Sequence, residues 1–106
     1  MTGAVRVDAL VEDDIMEYPT EEQLQAIRKH SGSYVELLKL AREAFNESMG
    51  LFVQEGRFYR IATGGWSGNE DVINALEDNE GMFWTVCWNQ SKRGGAYQFE
   101  IPEGIK

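Results

Sequence analysis

A single cysteine, Cys87, and a single histidine, His30, remove several kinds of protein from consideration. One cysteine closes no internal disulfide, which fits a reducing cytoplasm. Together, one cysteine and one histidine do not complete a zinc site. Bases are scarce as well: ten Lys and Arg stand against eighteen Asp and Glu, for a net charge of -8. Such a chain lacks the cationic face that non-specific binding to nucleic acid or anionic membrane requires. The acids are spread along the chain rather than gathered in one block, so mimicry of nucleic acid is a weaker reading than a soluble acidic surface. Met1 to Leu10 has no apolar stretch of signal-peptide length, and no run approaches a membrane span. These features lead us to expect a cytoplasmic protein.

What is present is ordinary globular material, 42% hydrophobic and 11% aromatic over 106 residues. That length predicts one small domain, residues 1–106, with a modest stability margin. Val5, Val7, Ala9 and Val11 alternate with Arg6 and Asp8, as an edge strand or an ordered lead-in would. Glu12, Asp13 and Asp14 come next, and without the loop spacing of a hard-cation site they read as a solvated turn.

Three serine- or threonine-led capping boxes punctuate the rest. Thr20 with Gln23 opens a short helix running to about His30, with Leu24 and Ile27 inward. Ser33 with Glu36 opens a longer one, with Tyr34, Leu37, Leu38, Ala41, Ala44, Phe45 and Ser48 as its buried stripe and Gly50 as its C-terminal cap. Ser67 with Glu70 opens a third, from about Gly68 to Asp78, with Val72, Ile73 and Leu76 inward. This helix ends in Glu77, Asp78 and Glu80, the unfavourable sign for a helix C-terminus, which a basic partner would offset.

Leu51 to Ala62 predicts a hairpin turning at Glu55-Gly56, with Gln54 opposite Arg57, Val53 opposite Phe58 and Phe52 opposite Tyr59. Met82 to Gln90 and Gly95 to Ile101 predict a second, turning at Ser91-Lys92-Arg93-Gly94. Trp88 then faces Tyr97, Val86 faces Phe99 and Trp84 faces Ile101. The expected fold is α+β: two N-terminal helices, then hairpin, helix and hairpin, with a mainly antiparallel sheet and helices on one face.

Catalysis has little to draw on. His30 sits before a helix break, where it suits a capping role better than a catalytic one. Cys87 lies within an expected strand, where a thiol is usually inert. No cysteine-histidine pair or Ser-His-Asp set stands at a recognisable motif. A small enzyme is the third-ranked reading, and no cofactor or metal is expected.

Binding has more. Thr63-Gly64-Gly65-Trp66-Ser67 reads as a strand end, a glycine turn that permits positive φ, and a helix start whose free amides attract oxyanions. Arg57 and Arg60 lie on the preceding strand, and Ser91-Lys92-Arg93-Gly94-Gly95 forms the last turn. Neither glycine pair matches a Walker-type phosphate loop. Trp84 and Trp88 read first as core. Trp66, outside regular structure, stands equally well as core or as a contact residue. The candidate binding residues are therefore Arg60, Gly64, Gly65, Trp66, Ser67, Lys92, Arg93, Gly94 and Gly95, with Trp66 as anchor and Arg93 as charged contact. They serve a host protein or, as the alternative, a nucleotide or other phosphorylated small molecule stacked on Trp66 or Trp88. A basic host protein would instead use the acidic helix surfaces. An exposed strand edge would permit a dimer without requiring one.

Thr63-Gly64-Gly65-Trp66-Ser67-Gly68-Asn69-Glu70, then Phe83-Trp84, Trp88, Ser91, Arg93-Gly94-Gly95, Tyr97 and Phe99, form a pattern over roughly the C-terminal half. The pattern resembles short proteins of phage and prophage genomes; Tyr18-Pro19-Thr20 adds a weaker likeness. The resemblance implies context rather than residues. It suggests a small accessory protein made by a mobile element in a bacterial cytoplasm, one that binds and blocks a host component such as a defence system.

Overall fold

The first described helix, α1 (Glu21–Lys29), is closed at its start by short-range chemistry alone. Thr20 Oγ1 accepts the Gln23 amide at 3.0 Å while Gln23 Oε1 accepts the Thr20 amide at 2.9 Å, the expected box complete in both directions. The computed structural model describes residues 18–105; the alternation at 4–11 and the acids at 12–14 lie outside them. Leu24 and Ile27 are buried as expected. His30 caps the helix end, but its Nε2 lies 3.0 Å from the Ser33 carbonyl, so the ring bridges the break rather than covering α1's own carbonyls.

Helix α2 (Tyr34–Ala44) keeps half of its box, with Ser33 Oγ accepting the Glu36 amide at 3.2 Å. Leu37, Leu38, Ala41 and Ala44 form the buried stripe. The helix stops well short of the expected Gly50 cap. Phe45 turns extended, so that its ring meets Phe52 edge-on at 5.3 Å. Asn46 then exchanges bonds with the buried Asn69, whose Oδ1 takes the Asn46 amide at 2.8 Å and whose Nδ2 donates to the Asn46 carbonyl at 3.0 Å. Ser48, expected on the stripe, is exposed.

Strands β1 (Leu51–Glu55) and β2 (Phe58–Ala62) pair antiparallel, but the turn is Gly56-Arg57, one residue later than expected. Gly56 takes φ 62 as the first turn residue, a conformation that glycine adopts at least cost. The register becomes Phe52 opposite Ile61 and Gln54 opposite Tyr59. Every side chain keeps its expected face, because both partners of each pair still share one.

Helix α3 (Ser67–Glu77) buries Val72, Ile73 and Leu76 as expected, along with Ala75. Its acid-rich end finds a base within the chain: Glu80 pairs with Lys29 at 3.5 Å. Beyond it, Asn79 fastens the helical layer together. Its Nδ2 donates to the carbonyls of Ile27 (2.7 Å), Arg28 (3.4 Å) and His30 (3.1 Å). Its Oδ1 accepts the amides of Gly81 (2.9 Å) and Phe83 (3.4 Å).

That clasp redirects the next segment of chain. Phe83–Cys87 is a short helix, α4, rather than the first half of a strand. Met82 enters it at φ 68, and the four-residue spacing carries Phe83 and Cys87 together into the core. Strand β3 (Trp88–Lys92) and strand β4 (Ala96–Glu100) then pair around Arg93-Gly94-Gly95, with an irregularity between Trp88 and Gln90. Trp88 faces Phe99 and Ser91 faces Tyr97, in place of the expected pairs.

The sheet runs β1-β2-β4-β3, antiparallel throughout. Phe52, Tyr59, Ile61 and Phe99 from its inner face join Ile27, Leu37, Leu38, Val72, Leu76 and Phe83 from the helices in one core. The α+β expectation is met.

Candidate binding surface

Strand order decides which side chains meet on the sheet's outer face. Because β2 pairs with both β1 and β4, and β4 with β3, the registers lay out rows across four strands. One row is Leu51, Ala62, Ala96 and Lys92. The next is Val53, Arg60, Gln98 and Gln90. A third is Glu55, Phe58 and Glu100. Alternation sends Tyr59, Ile61 and Phe99 to the helices and leaves these rows outward. Leu51 and Phe58 are 45% and 46% exposed, so the face keeps an apolar component in water.

The two alanines make a low floor. Around them lies a depression of about 160 Å³ lined by Leu51, Arg60, Ala62, Gln90, Lys92, Ala96 and Gln98, among others. A neighbouring one of about 210 Å³ shares Arg60 and Gln98 and runs toward Glu55 and Phe58. Gln90 and Gln98 are tied side chain to side chain at 2.8 Å.

At one end of this face, the two glycine turns meet. The Thr63 amide donates to the Gly95 carbonyl at 3.0 Å, and the Gly65 amide donates to Thr63 Oγ1 at 3.2 Å. Gly64 and Gly65 have φ 69 and 76, and Gly94 and Gly95 have φ 87 and 82. A Cβ on Gly64 would run into the Met49 carbonyl oxygen, and one on Gly95 into Thr63 Oγ1. The sequence-level convergence of Gly64 and Gly65 with Gly94 and Gly95 is therefore present in the fold.

The Ser67–Glu70 capping box is not. Trp66 is the N-cap, with no side-chain cap bond, and Ser67 is the first helical residue. The Ser67 hydroxyl lies 3.4 Å from the Tyr18 hydroxyl instead. Trp66 is only 8% exposed, its ring folded over Gly68 and within 4.6 Å of the Tyr18 ring. A side chain on Gly68 would overlap that ring. Trp66 thus shapes the corner from inside and offers a partner little surface; its Nε1 has no hydrogen-bond partner among the described residues. Among the tryptophans read as core, Trp84 packs against Phe99, whereas Trp88 is 45% exposed and donates to Ser91 Oγ at 2.8 Å.

Five of the described cations are in ion pairs: Arg28 with Glu21, Lys29 with Glu80, Lys39 with Glu36, Arg42 with Glu47 and Arg57 with Glu100. Arg57 also lies over the Phe58 ring, toward the far end of the sheet from the glycine turns. The described Lys and Arg without an ion pair are Arg60, Lys92 and Arg93, all on the outer face or its glycine end. Sequence reasoning missed Gln90, Gln98, Leu51 and Phe58 as members of this surface. Alternation along β2 and β4 was the available signal, but only the strand order places the two strands side by side.

Cys87 is buried, and burial pushes its thiol up to about 11. Among the described residues no group of His, Cys, Asp and Glu is placed to hold a metal ion, and no helix is long and apolar enough to cross a membrane. Among the described residues the fold is thus a four-stranded antiparallel sheet with helices on one face and a mixed apolar and cationic surface on the other. Comparison with protein-family models, curated proteins and solved structures finds no match to this chain.

Proposed function

We propose that this chain is a non-enzymatic accessory protein of a phage or prophage that acts by binding a bacterial host macromolecule, with a protein of a defence system as the leading kind of target. The observation that carries the reading is the open sheet face: exposed Leu51 and Phe58 beside Arg60, Lys92 and Arg93, the described cations left without ion pairs. Apolar and arginine-bearing surface outside the core is the composition of protein interfaces. The phage context rests on the resemblance of the Thr63–Glu70 segment and the aromatic and glycine positions after it. Cytoplasmic location in the bacterial host follows from the same context.

A second reading, sequestration of a phosphorylated small molecule at the glycine corner, draws on α3 starting without a side-chain cap. One affinity purification from bacterial lysate separates the two. Half of the eluate is examined for proteins and half is denatured and examined for released nucleotides. The binding reading expects a stoichiometric host protein that is lost in Arg60→Glu and Lys92→Glu but kept in Glu22→Lys on α1. Released nucleotide without protein contradicts it and supports the second reading.

A further inference from the structure

The alanine-floored depression has a chemistry of its own, and we infer that it is a receptor for a carboxylate side chain on an acidic protein partner. This deepens the binding reading above and rests on it. Ala62 and Ala96 stand opposite each other on β2 and β4, so the middle of the row has no bulk. Arg60 stands on β2 in the adjoining row, and Lys92 stands on β3 beyond Ala96. By strand spacing and rise their Cα atoms are about 12 Å apart. Two long cationic side chains at that separation can close on one carboxylate between them, and neither is engaged in an ion pair among the described residues.

The surroundings favour an acidic side chain over other anions. The methyls of Ala62 and Ala96 and the exposed Leu51 offer apolar contact to the methylenes of a glutamate. The Gln90–Gln98 amide pair, bonded at 2.8 Å, lines the same depression and supplies further polar contact. The third row, with Glu55 and the ion-paired Glu100, repels acid at the other end of the face and so orients the partner. Nucleic acid would need many phosphate contacts from a chain whose net charge is -8, and among the described residues the face and its glycine end have Arg60, Lys92 and Arg93 to give. A single recessed carboxylate needs two. An arginine and a lysine meeting one carboxylate form charge-assisted bonds, stronger than neutral ones.

The test uses the isotope-labelled full chain, followed residue by residue in solution by NMR. It is titrated with a capped pentapeptide carrying a central glutamate between alanines, with its glutamine counterpart, and with a thymidine decamer of single-stranded DNA. The glutamate peptide is expected to shift the backbone signals of Ala62, Lys92, Ala96 and Gln98 with millimolar affinity, at least about fivefold tighter than the glutamine peptide. Arg60→Gln should abolish that preference while leaving the signals of the helical core in place. Equal binding of the two peptides, no shift at about 10 mM peptide, or tighter binding of the DNA at these residues would each overturn the inference. Failure here together with a host adduct at the same face would reject the carboxylate receptor and leave the binding reading standing.

Discussion

The Thr63 amide donates to the Gly95 carbonyl at 3.0 Å, which carries the β2–β4 pairing one step beyond Ala62 and Ala96 and joins the end of β2 to the β3–β4 turn. Gly95 is at φ 82, and a Cβ there would press on Thr63 Oγ1, so Gly95→Ala both strains the backbone and pushes the corner apart. The expected loss is about 2–3 kcal/mol in urea denaturation. Gly94→Ala has the strain of φ 87 but open space around its Cβ, and should cost only about 1 kcal/mol. Equal losses would show that the two turns do not press on each other.

Helix starts provide a second contrast. Thr20→Ala removes a working cap from α1 and should cost about 1 kcal/mol. Ser67→Ala removes no cap from α3 and should fall within about 0.5 kcal/mol of the parent. Trp66→Ala should cost about 3 kcal/mol, because the ring is buried over Gly68. Thermal unfolding of the three variants in one buffer settles the order; a costly Ser67→Ala would restore the capping box.

Asn79 is the sharpest single point of failure in the helical layer. Asn79→Ala strands the amides of Gly81 and Phe83 and takes the Asn79 bond from the carbonyls of Ile27 and His30, at a site that is 8% exposed, while the Arg28 carbonyl keeps the Glu80 amide at 2.7 Å. About 3 kcal/mol of stability should disappear, with faster hydrogen exchange along both α1 and α4. Loss confined to one of those helices would contradict the clasp.

Burial raises the Cys87 thiol from an ordinary 9.0 to about 11. The unfolded chain therefore releases this proton at lower pH than the folded one, and the associated stability is present below pH 9 and is lost as pH climbs from about 9 to 11. The loss should reach about 2 kcal/mol. Burial also raises Tyr34 and Tyr59, which add a fall above pH 10. Cys87→Ala should flatten the stability profile between pH 9 and 10, and a thiol reagent at pH 8 should label the native chain only as fast as it unfolds. Rapid labelling would mean that the thiol is reachable.

Local signals in the sequence were the readable ones. Thr20 and Gln23 complete their box within four residues, and the Leu37–Ala44 stripe needs only helical spacing. Ser67 carries the same pattern as Thr20, yet with the Trp66 ring folded over Gly68 the helix begins one residue earlier, Trp66 takes the N-cap position and Ser67 lies inside the helix. Phe45 leaves α2 for Phe52, and Asn79 turns the apolar run at Phe83–Cys87 into a helix by bonding residues some fifty positions earlier. Periodicity does not separate a short buried strand from a short buried helix. The candidate surface was half legible for a related reason. The glycine corner follows from neighbouring segments, whereas Arg60 and Lys92 come together only because β4 inserts between β2 and β3.

The most direct measurement places a photo-crosslinking residue at Gln98, in the middle of the open face, and at Gln25, on the exposed side of α1, in full-length protein made in bacterial cells. The account predicts one discrete host-protein adduct from position 98, reduced by Arg60→Glu, and none from position 25. Adducts from position 25 alone, or the same diffuse set from both, would contradict binding through the open sheet face.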